Sequence, residues 1–281
     1  MPPLLFTAVR VPETHHGYLR LRGTNRVLKI LKANEYTNGI QARERVDFLC
    51  NTLKMRVLEL CAGSKSFTKV CRSMGWECTT VDVNPRYEPD MLADVRVLHF
   101  KEGEFDVIWA SPPCEHYSIA KTRGARNLAL YDSIAQACLR IIDEVKPLVW
   151  IVENPMGLLR HRPFMSGLKK WTVDYCMFGA PYRKRTDLFL SDNMSEGLSD
   201  VLCDKTCGQV DKAGRHMNVC QNGPSSRKPG AAYIGKLDSR HSVPPALCVG
   251  ILIKIESIIS NQGAEDAEHP GGGGAKETPH G

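Results

Sequence analysis

The sequence predicts an α/β fold: a Rossmann-like, mostly parallel sheet with helices on both faces, plus a small irregular insert. Three observations lead there. From Met55 onward, short apolar runs with strand character alternate with longer amphipathic runs, as βαβ units do. A turn of small residues, Cys61-Ala62-Gly63-Ser64, joins the first strand to a helix, and Asp82 follows about twenty residues later, as in nucleotide-binding sheets. The other chemically conspicuous residues also fall just past predicted strands, where open α/β sheets bind ligands.

Taken in order, Arg56 to Cys61 is the first strand and Ser66 to Met74 a helix. Glu77 to Val83 is the second strand and Phe105 to Ala110 the third. Leu128 to Val145 is a long helix, with Ala129, Ile134, Ala137, Cys138, Ile141 and Ile142 apolar at helical spacing. Leu148 to Val152 follows, and Trp171 to Tyr175 and Arg185 to Leu190 are the last strands. Residues 55–190 are therefore expected to form the principal domain. Residues 191–235 turn polar and lose periodicity, which marks a small insert. The chain returns to the domain over 236–260, with an apolar helix from Ala246 to Ile259. The tail, 261–281, contains Gly271 to Gly274 and is expected to be disordered. Residues 1–54 form a basic extension, with Arg20, Arg22, Arg26, Lys29 and Lys32 close together. Val27, Leu28 and Leu31 there have helical spacing, which suits a packing helix or a phosphate-contacting arm.

Composition narrows the function classes. At 281 residues and 42% hydrophobic content, one large domain with an insertion can bury a core. The net charge of +6 permits a polyanionic partner without requiring one. Eleven cysteines, several inside apolar runs, read as reduced thiols of an intracellular protein rather than a secreted disulfide framework. No apolar run suits a membrane span and the N-terminus lacks a secretory layout. The expected location is the nucleus of a eukaryotic host, or the cytoplasm in a bacterial or viral setting.

Two segments carry the reactive chemistry. Ser111-Pro112-Pro113-Cys114 follows one strand and Val152-Glu153-Asn154-Pro155 another. A thiolate on a stiff double-proline turn can add to an electron-poor ring while a carboxyl group protonates that ring elsewhere. Cysteine is a weak nucleophile until deprotonated, and Lys121, Arg123 and Arg126 follow closely enough to help. Asn154-Pro155 reads as the turn that aims Glu153. Upstream, the small-residue turn lets the backbone and a helix N-terminus approach a ligand. Asp82 is placed to accept ribose hydroxyls and Asp94 to accept from an adenine amino group.

With these residues in order, the chain resembles the cytosine-5 DNA methyltransferase family over about Arg56 to Ile259. The resemblance implies a methyltransferase sheet that binds S-adenosylmethionine through Cys61, Ala62, Gly63, Ser64, Ser66 and Phe67, with Asp82, Asp94 and Pro112. Cys61 and Lys65 stand where the family has Phe and a second Gly. Ser242-Val243-Pro244-Pro245 matches the family's last motif, which returns to the cofactor. Cys114 becomes the nucleophile and Glu153 the acid that reads and protonates a flipped cytosine. Gly179 to Thr186 corresponds to a Gln-x-Arg-x-Arg motif, so Arg183 and Arg185 are expected near the base or its phosphate, with Tyr182 in the glutamine's place. The insert is the expected target-recognition region, compact and basic. DNA is the expected partner of a monomer. Two alternatives stay open: a transfer RNA substrate, which one branch of the family uses, and an inactive nucleic-acid-binding relative.

The insert also holds Cys203, Cys207, His216 and Cys220, spaced Cys-x3-Cys-x8-His-x3-Cys. Paired soft ligands across a short loop suit a structural zinc ion, and so small an insert has little apolar content with which to fold unaided.

Overall fold

The structure is a computed structural model that describes three N-terminal strands, residues 54–220, residues 232–233 and residues 241–268. The other stretches of the predicted extension, insert and tail lie outside the described residues.

Among the described N-terminal residues, β1 (Phe6–Ala8), β2 (Gly17–Leu21) and β3 (Val27–Ile30) form an antiparallel sheet. Val27 and Leu28 thus lie in a strand, not the predicted helix; Val27 to Ile30 pairs residue for residue with Gly17 to Arg20, and pairing overrides weak helical spacing.

The principal sheet has seven strands. β4 (Arg56–Leu60) is followed by α1 (Ser66–Ser73), β5 (Glu77–Asp82) and the two-residue β6 (Met91–Leu92), which the sequence did not predict. Then come β7 (Val107–Ala110), α2 (Leu128–Val145), β8 (Val149–Pro155), β9 (Lys169–Asp174), β10 (Arg185–Leu190) and the single turn α3 (Asp192–Ser195). β11 (Asn218–Val219) and β12 (Ala232–Tyr233) pair in parallel, and α4 (Pro245–Glu268) closes the described chain. The sheet order is β6-β5-β4-β7-β8-β10-β9. The first five strands are parallel, and β10 runs antiparallel to both β8 and β9. The predicted α/β architecture is therefore present, and chain order reverses between β4 and β7, opening a crevice beyond their carboxyl ends.

Burial explains the strands. Val57, Leu58, Leu60 and all four residues of β7 are buried, as expected of central strands covered on both faces. One apolar layer joins Val57, Phe67, Val70 and Trp109 to α4 through Leu247, Ile251 and Ile255. The opposite layer joins Leu58, Ile108 and Val152 to α2 through Cys138, Ile141 and Val145. α2 has the predicted bounds because the side chain of Asn127 caps its start by accepting from Leu130 N and Lys146 ends it in a left-handed conformation. α4 continues through Glu268, past the predicted start of disorder at Asn261. Ala and Glu between Ala264 and Glu268 are good helix formers, and the glycine run begins only at Gly271.

Both sheet edges are protected. β6 is too short to recruit a neighbour. Along β9, residues 199–201 act as a partial extra strand. Asp174 N donates to Val201 O, Val201 N to Thr172 O, Trp171 Nε1 to Ser199 O, and Thr172 N to Asp200 Oδ1.

Candidate active site

The turn after β4 is the first wall of the crevice. Cys61, Gly63 and Lys65 all have left-handed backbones, at φ 53°, 45° and 56°. For the two non-glycine residues this costs about 1 kcal/mol each, and it gives the physical reason a glycine is suited to position 65. Lys65 also sends Nζ to Glu88 O at 2.5 Å. Asp82, 9% exposed at the end of β5, accepts Gly63 N at 2.9 Å and Asn84 N at 2.8 Å. Each oxygen keeps acceptor capacity for a ligand hydroxyl. Val83 and Leu92 are exposed apolar residues on the same rim. Beneath the turn, buried Glu59 accepts Thr68 N at 2.8 Å at the start of α1, and burial pushes its pKa up to about 7.

Ser242 and Val243 of the last motif meet this turn. Ser66 Oγ accepts Val243 N at 3.1 Å and shares a 2.8 Å hydrogen bond with Ser64 Oγ, which accepts from Ser242 Oγ. Ala62 donates to Val81 O, so its backbone closes the turn. Three of the predicted cofactor residues do other work. Phe67 is wholly buried and stacks on Trp109 with ring centroids 4.6 Å apart, so it supports the turn from the core instead of facing a ligand. The side chain of Cys61 turns inward to Cys138, and that thiol together with burial pushes its pKa up. Asp94 caps the short turn Val95–Val97 through Arg96 N and pairs with the Arg96 guanidinium, which holds its carboxyl below the usual range.

The second wall brings Cys114 and Glu153 to neighbouring strand ends. β8 runs three residues beyond its predicted end, so Glu153 and Asn154 lie within a strand, paired with Leu188 and Asp187 of β10. Asn154 does not make an aiming turn; it braces. Its Nδ2 donates to Pro112 O at 2.8 Å, fixing the Cys114 turn to the Glu153 strand through a buried hydrogen bond. Cys114 O then accepts from Tyr117 N and Ser118 N, and Tyr117 O from Leu158 N. A Cβ on Gly157 would stand 2.4 Å from Tyr117 O, so glycine is required where the two segments cross. Arg126 caps the carbonyls of His116, Ser118 and Lys121, holding the following loop together.

The electrostatics differ from the sequence expectation. The cation acting on Cys114 is Lys184, not Lys121, Arg123 or Arg126. Burial pushes the Cys114 thiol up to about 11; Lys184 pulls it down, while Glu153 and Glu115 push it up. Glu153, 5% exposed, accepts from Tyr175 Oη at 2.8 Å, and Lys184 Nζ stands 3.7 Å from the same oxygen and 5.0 Å from the Tyr175 ring centroid. Arg183 and Arg185 instead turn to Asp174. Arg185 Nε and Nη2 donate to its two oxygens at 2.9 and 2.8 Å, and Arg183 Nε donates at 3.2 Å. The reason is parity: β10 pairs Leu188 with Glu153, so Arg185, three residues earlier, faces the other side of the sheet. Lys184 and Tyr175 were missed in the sequence; their signal is the same parity, visible only once the register is known.

The predicted metal set is altered. Cys203, Cys207 and His216 come together, but the fourth member is Cys176, from the short turn Tyr175–Phe178 after β9. Cys220 packs toward the apolar core instead and acts electrostatically on Tyr182.

No helix among the described residues is long and apolar enough to cross a membrane. A profile described as C-5 cytosine-specific DNA methylase matches residues 55–172. A Frog virus 3 (isolate Goorha) protein described as "Probable DNA (cytosine-5)-methyltransferase" is 30% identical over 220 residues, 70% of this chain and 99% of that protein. Two solved structures overlap about half of the chain. A protein encoded within an Escherichia coli prophage and assigned as a DNA modification methyltransferase has a TM-score of 0.39 at 16% identity, covering 49% of this chain and 46% of its own. A mutant of Spodoptera frugiperda DNMT2 has a TM-score of 0.31 at 15% identity, covering 48% of this chain and 50% of its own.

Proposed function

We propose, for a chain that belongs to the C-5 cytosine-specific DNA methylase family, that it methylates C5 of a cytosine flipped out of DNA, with Cys114 as covalent nucleophile. The observation that carries this reading is the buried Asn154–Pro112 hydrogen bond, which ties the turn after β7 that bears Cys114 to β8, the neighbouring parallel strand that bears Glu153.

The turn at 61–66 fits the family's cofactor, because Asp82 retains acceptor capacity beside a backbone held open at three left-handed residues. Asp82 would hold the ribose, and Ser64, Ser66 and the Ser242-Val243 strap would shape the turn around the remainder. S-adenosylmethionine, when bound there, supplies an electrophilic methyl group.

The chain's own residues carry the proton traffic. Cys114 is a thiol in the free protein at neutral pH, since burial outweighs Lys184. The thiol must lose one proton as sulfur bonds to C6, and ring nitrogen N3 must gain one. Glu153 is the group that passes a proton to N3, and Tyr175 and Lys184 hold its carboxyl in place. Adding sulfur to C6 and a proton to N3 moves the C5–C6 electron pair onto C5, the carbon to be alkylated. After C5 is alkylated, a base, for which water in the crevice is the candidate, removes the C5 proton as the Cys114 sulfur leaves with its electron pair, and N3 returns its proton to Glu153. Glu153 on the Watson–Crick edge also selects cytosine. Arg183 and Arg185, held by Asp174, are assigned to phosphates outside the pocket.

The test is transfer of labelled methyl groups to duplex DNA and, in parallel, to bulk transfer RNA, with Cys114→Ser beside wild type. Label on DNA cytosine that disappears in Cys114→Ser is the expected result. Label on RNA alone would move the substrate assignment to RNA, and no label with binding intact would leave a nucleic-acid-binding protein.

A further inference from the structure

We propose that Cys176, Cys203, Cys207 and His216 bind one zinc ion in a closed structural site that ties the 203–216 loop to the end of β9. The four ligand atoms lie within 4.8 Å of one another. His216 Nε2 is 3.5 Å from both Cys203 Sγ and Cys207 Sγ. A tetrahedron with zinc–sulfur arms of about 2.3 Å and zinc–nitrogen arms of about 2.0 Å has edges of about 3.5–3.8 Å, so these separations suit a shared ion.

A second, independent observation points to the same ligand. Lys205 N donates to Cys203 Sγ at 3.3 Å, and Gln209 N donates to Cys207 Sγ at 3.4 Å. Each bond runs from residue i+2 back to the sulfur of residue i, and each turn contains a left-handed residue, Lys205 at φ 77° or Gly208 at φ 74°. A neutral thiol is a poor acceptor; bending two turns to aim backbone N–H groups at sulfur is worthwhile for metal-bound thiolates, whose charge and orientation such groups tune. Three thiolates and a neutral imidazole around a divalent ion leave one negative charge.

The ligand set explains why the loop lies where it does. Cys203 N donates to Asp174 Oδ2 at 2.8 Å, and Asn218 bridges to Tyr182. Cys176 is the anchor: it belongs to the sheet side, is 2% exposed, and directly follows Tyr175, the phenol bonded to Glu153. The other three ligands lie on a loop with little apolar content, and a four-ligand site with no open position supplies the missing folding energy. Soft sulfur and imidazole donors select zinc over magnesium or calcium.

The experiment measures metal in the purified full chain by elemental analysis after exhaustive dialysis, for wild type, Cys176→Ala and Cys220→Ala. The expected result is one zinc per chain in wild type and in Cys220→Ala, and at least a tenfold loss in Cys176→Ala. Wild type reconstituted with cobalt(II) should show tetrahedral bands and a charge-transfer intensity corresponding to three thiolates, a readout that does not depend on any variant folding. Absence of metal from wild type, a disulfide among the three cysteines in its place, or loss of metal from Cys220→Ala with retention in Cys176→Ala would each overturn the assignment.

Discussion

Cys114 and the Cys176–Cys203–Cys207–His216 cluster use one side chain in opposite ways. Cys114 stands on a proline turn, where burial and two carboxylates push its thiol up and Lys184 pulls it down. The cluster gathers three sulfurs and an imidazole and aims backbone N–H groups at two of them. On the proposed function, one arrangement keeps a thiol available for bond making and breaking; the other has the form of a saturated coordination shell. What surrounds the cysteine decides its chemistry.

The strongest way to test that contrast is at Glu153. Glu153→Gln keeps the shape but cannot pass a proton, so methyl transfer should fall about 100- to 10,000-fold, with metal content unchanged in elemental analysis. Equal loss of activity and metal would mean the two regions are not separable.

Next comes reactivity against pH. The Cys114 thiol is held up at about 11, so its alkylation by iodoacetamide, followed by peptide mass spectrometry, should rise about tenfold per pH unit from 7 to 10. Lys184→Met should slow it at every pH in that range. A plateau near pH 8 would show that a cation has won over burial. The same shift bears on stability: the folded state holds this proton more tightly than the unfolded chain, so its contribution is complete below about pH 9 and is lost as pH rises toward 11.

Smaller effects probe the braces. Gly157→Ala forces a methyl against Tyr117 O and should cost about 1–3 kcal/mol in urea unfolding, with turnover falling through displacement of the Cys114 turn. Lys65→Gly should do the reverse in the same urea unfolding, adding about 1 kcal/mol of stability by relieving a left-handed backbone, since the Lys65 Nζ–Glu88 O bond it removes is exposed.

The sequence was legible where local signals act alone. Leu128 to Val145 and Arg185 to Leu190 have their predicted bounds, because periodicity, a capping Asn and apolar β-sheet residues suffice. Cys114 and Glu153 stood out in the sequence because each comes directly after an apolar run with strand character, although β8 extends to include Glu153. What was not legible depends on pairing across the sheet. Arg183 and Arg185 were chosen by motif, whereas the register with β8 turns Arg185 away and leaves Lys184 beside Glu153. Cys220 was chosen by spacing within the loop, whereas Cys176 arrives from the turn after β9, 27 residues before Cys203. Phe67 sits in a cofactor-like motif, yet its place on α1 directs it into the core against Trp109.

Residues 199–201 lie along the outer ladder of β9, and two residues later the same segment reaches Cys203. If that segment peels away, the backbone donors and acceptors of β9 are left facing water, with Trp171 losing its partner beside them. An uncovered edge of this kind pairs readily with another chain. The first symptom of a loosened 199–203 segment is therefore expected outside the crevice, as self-association visible in light scattering while the sheet itself is still folded.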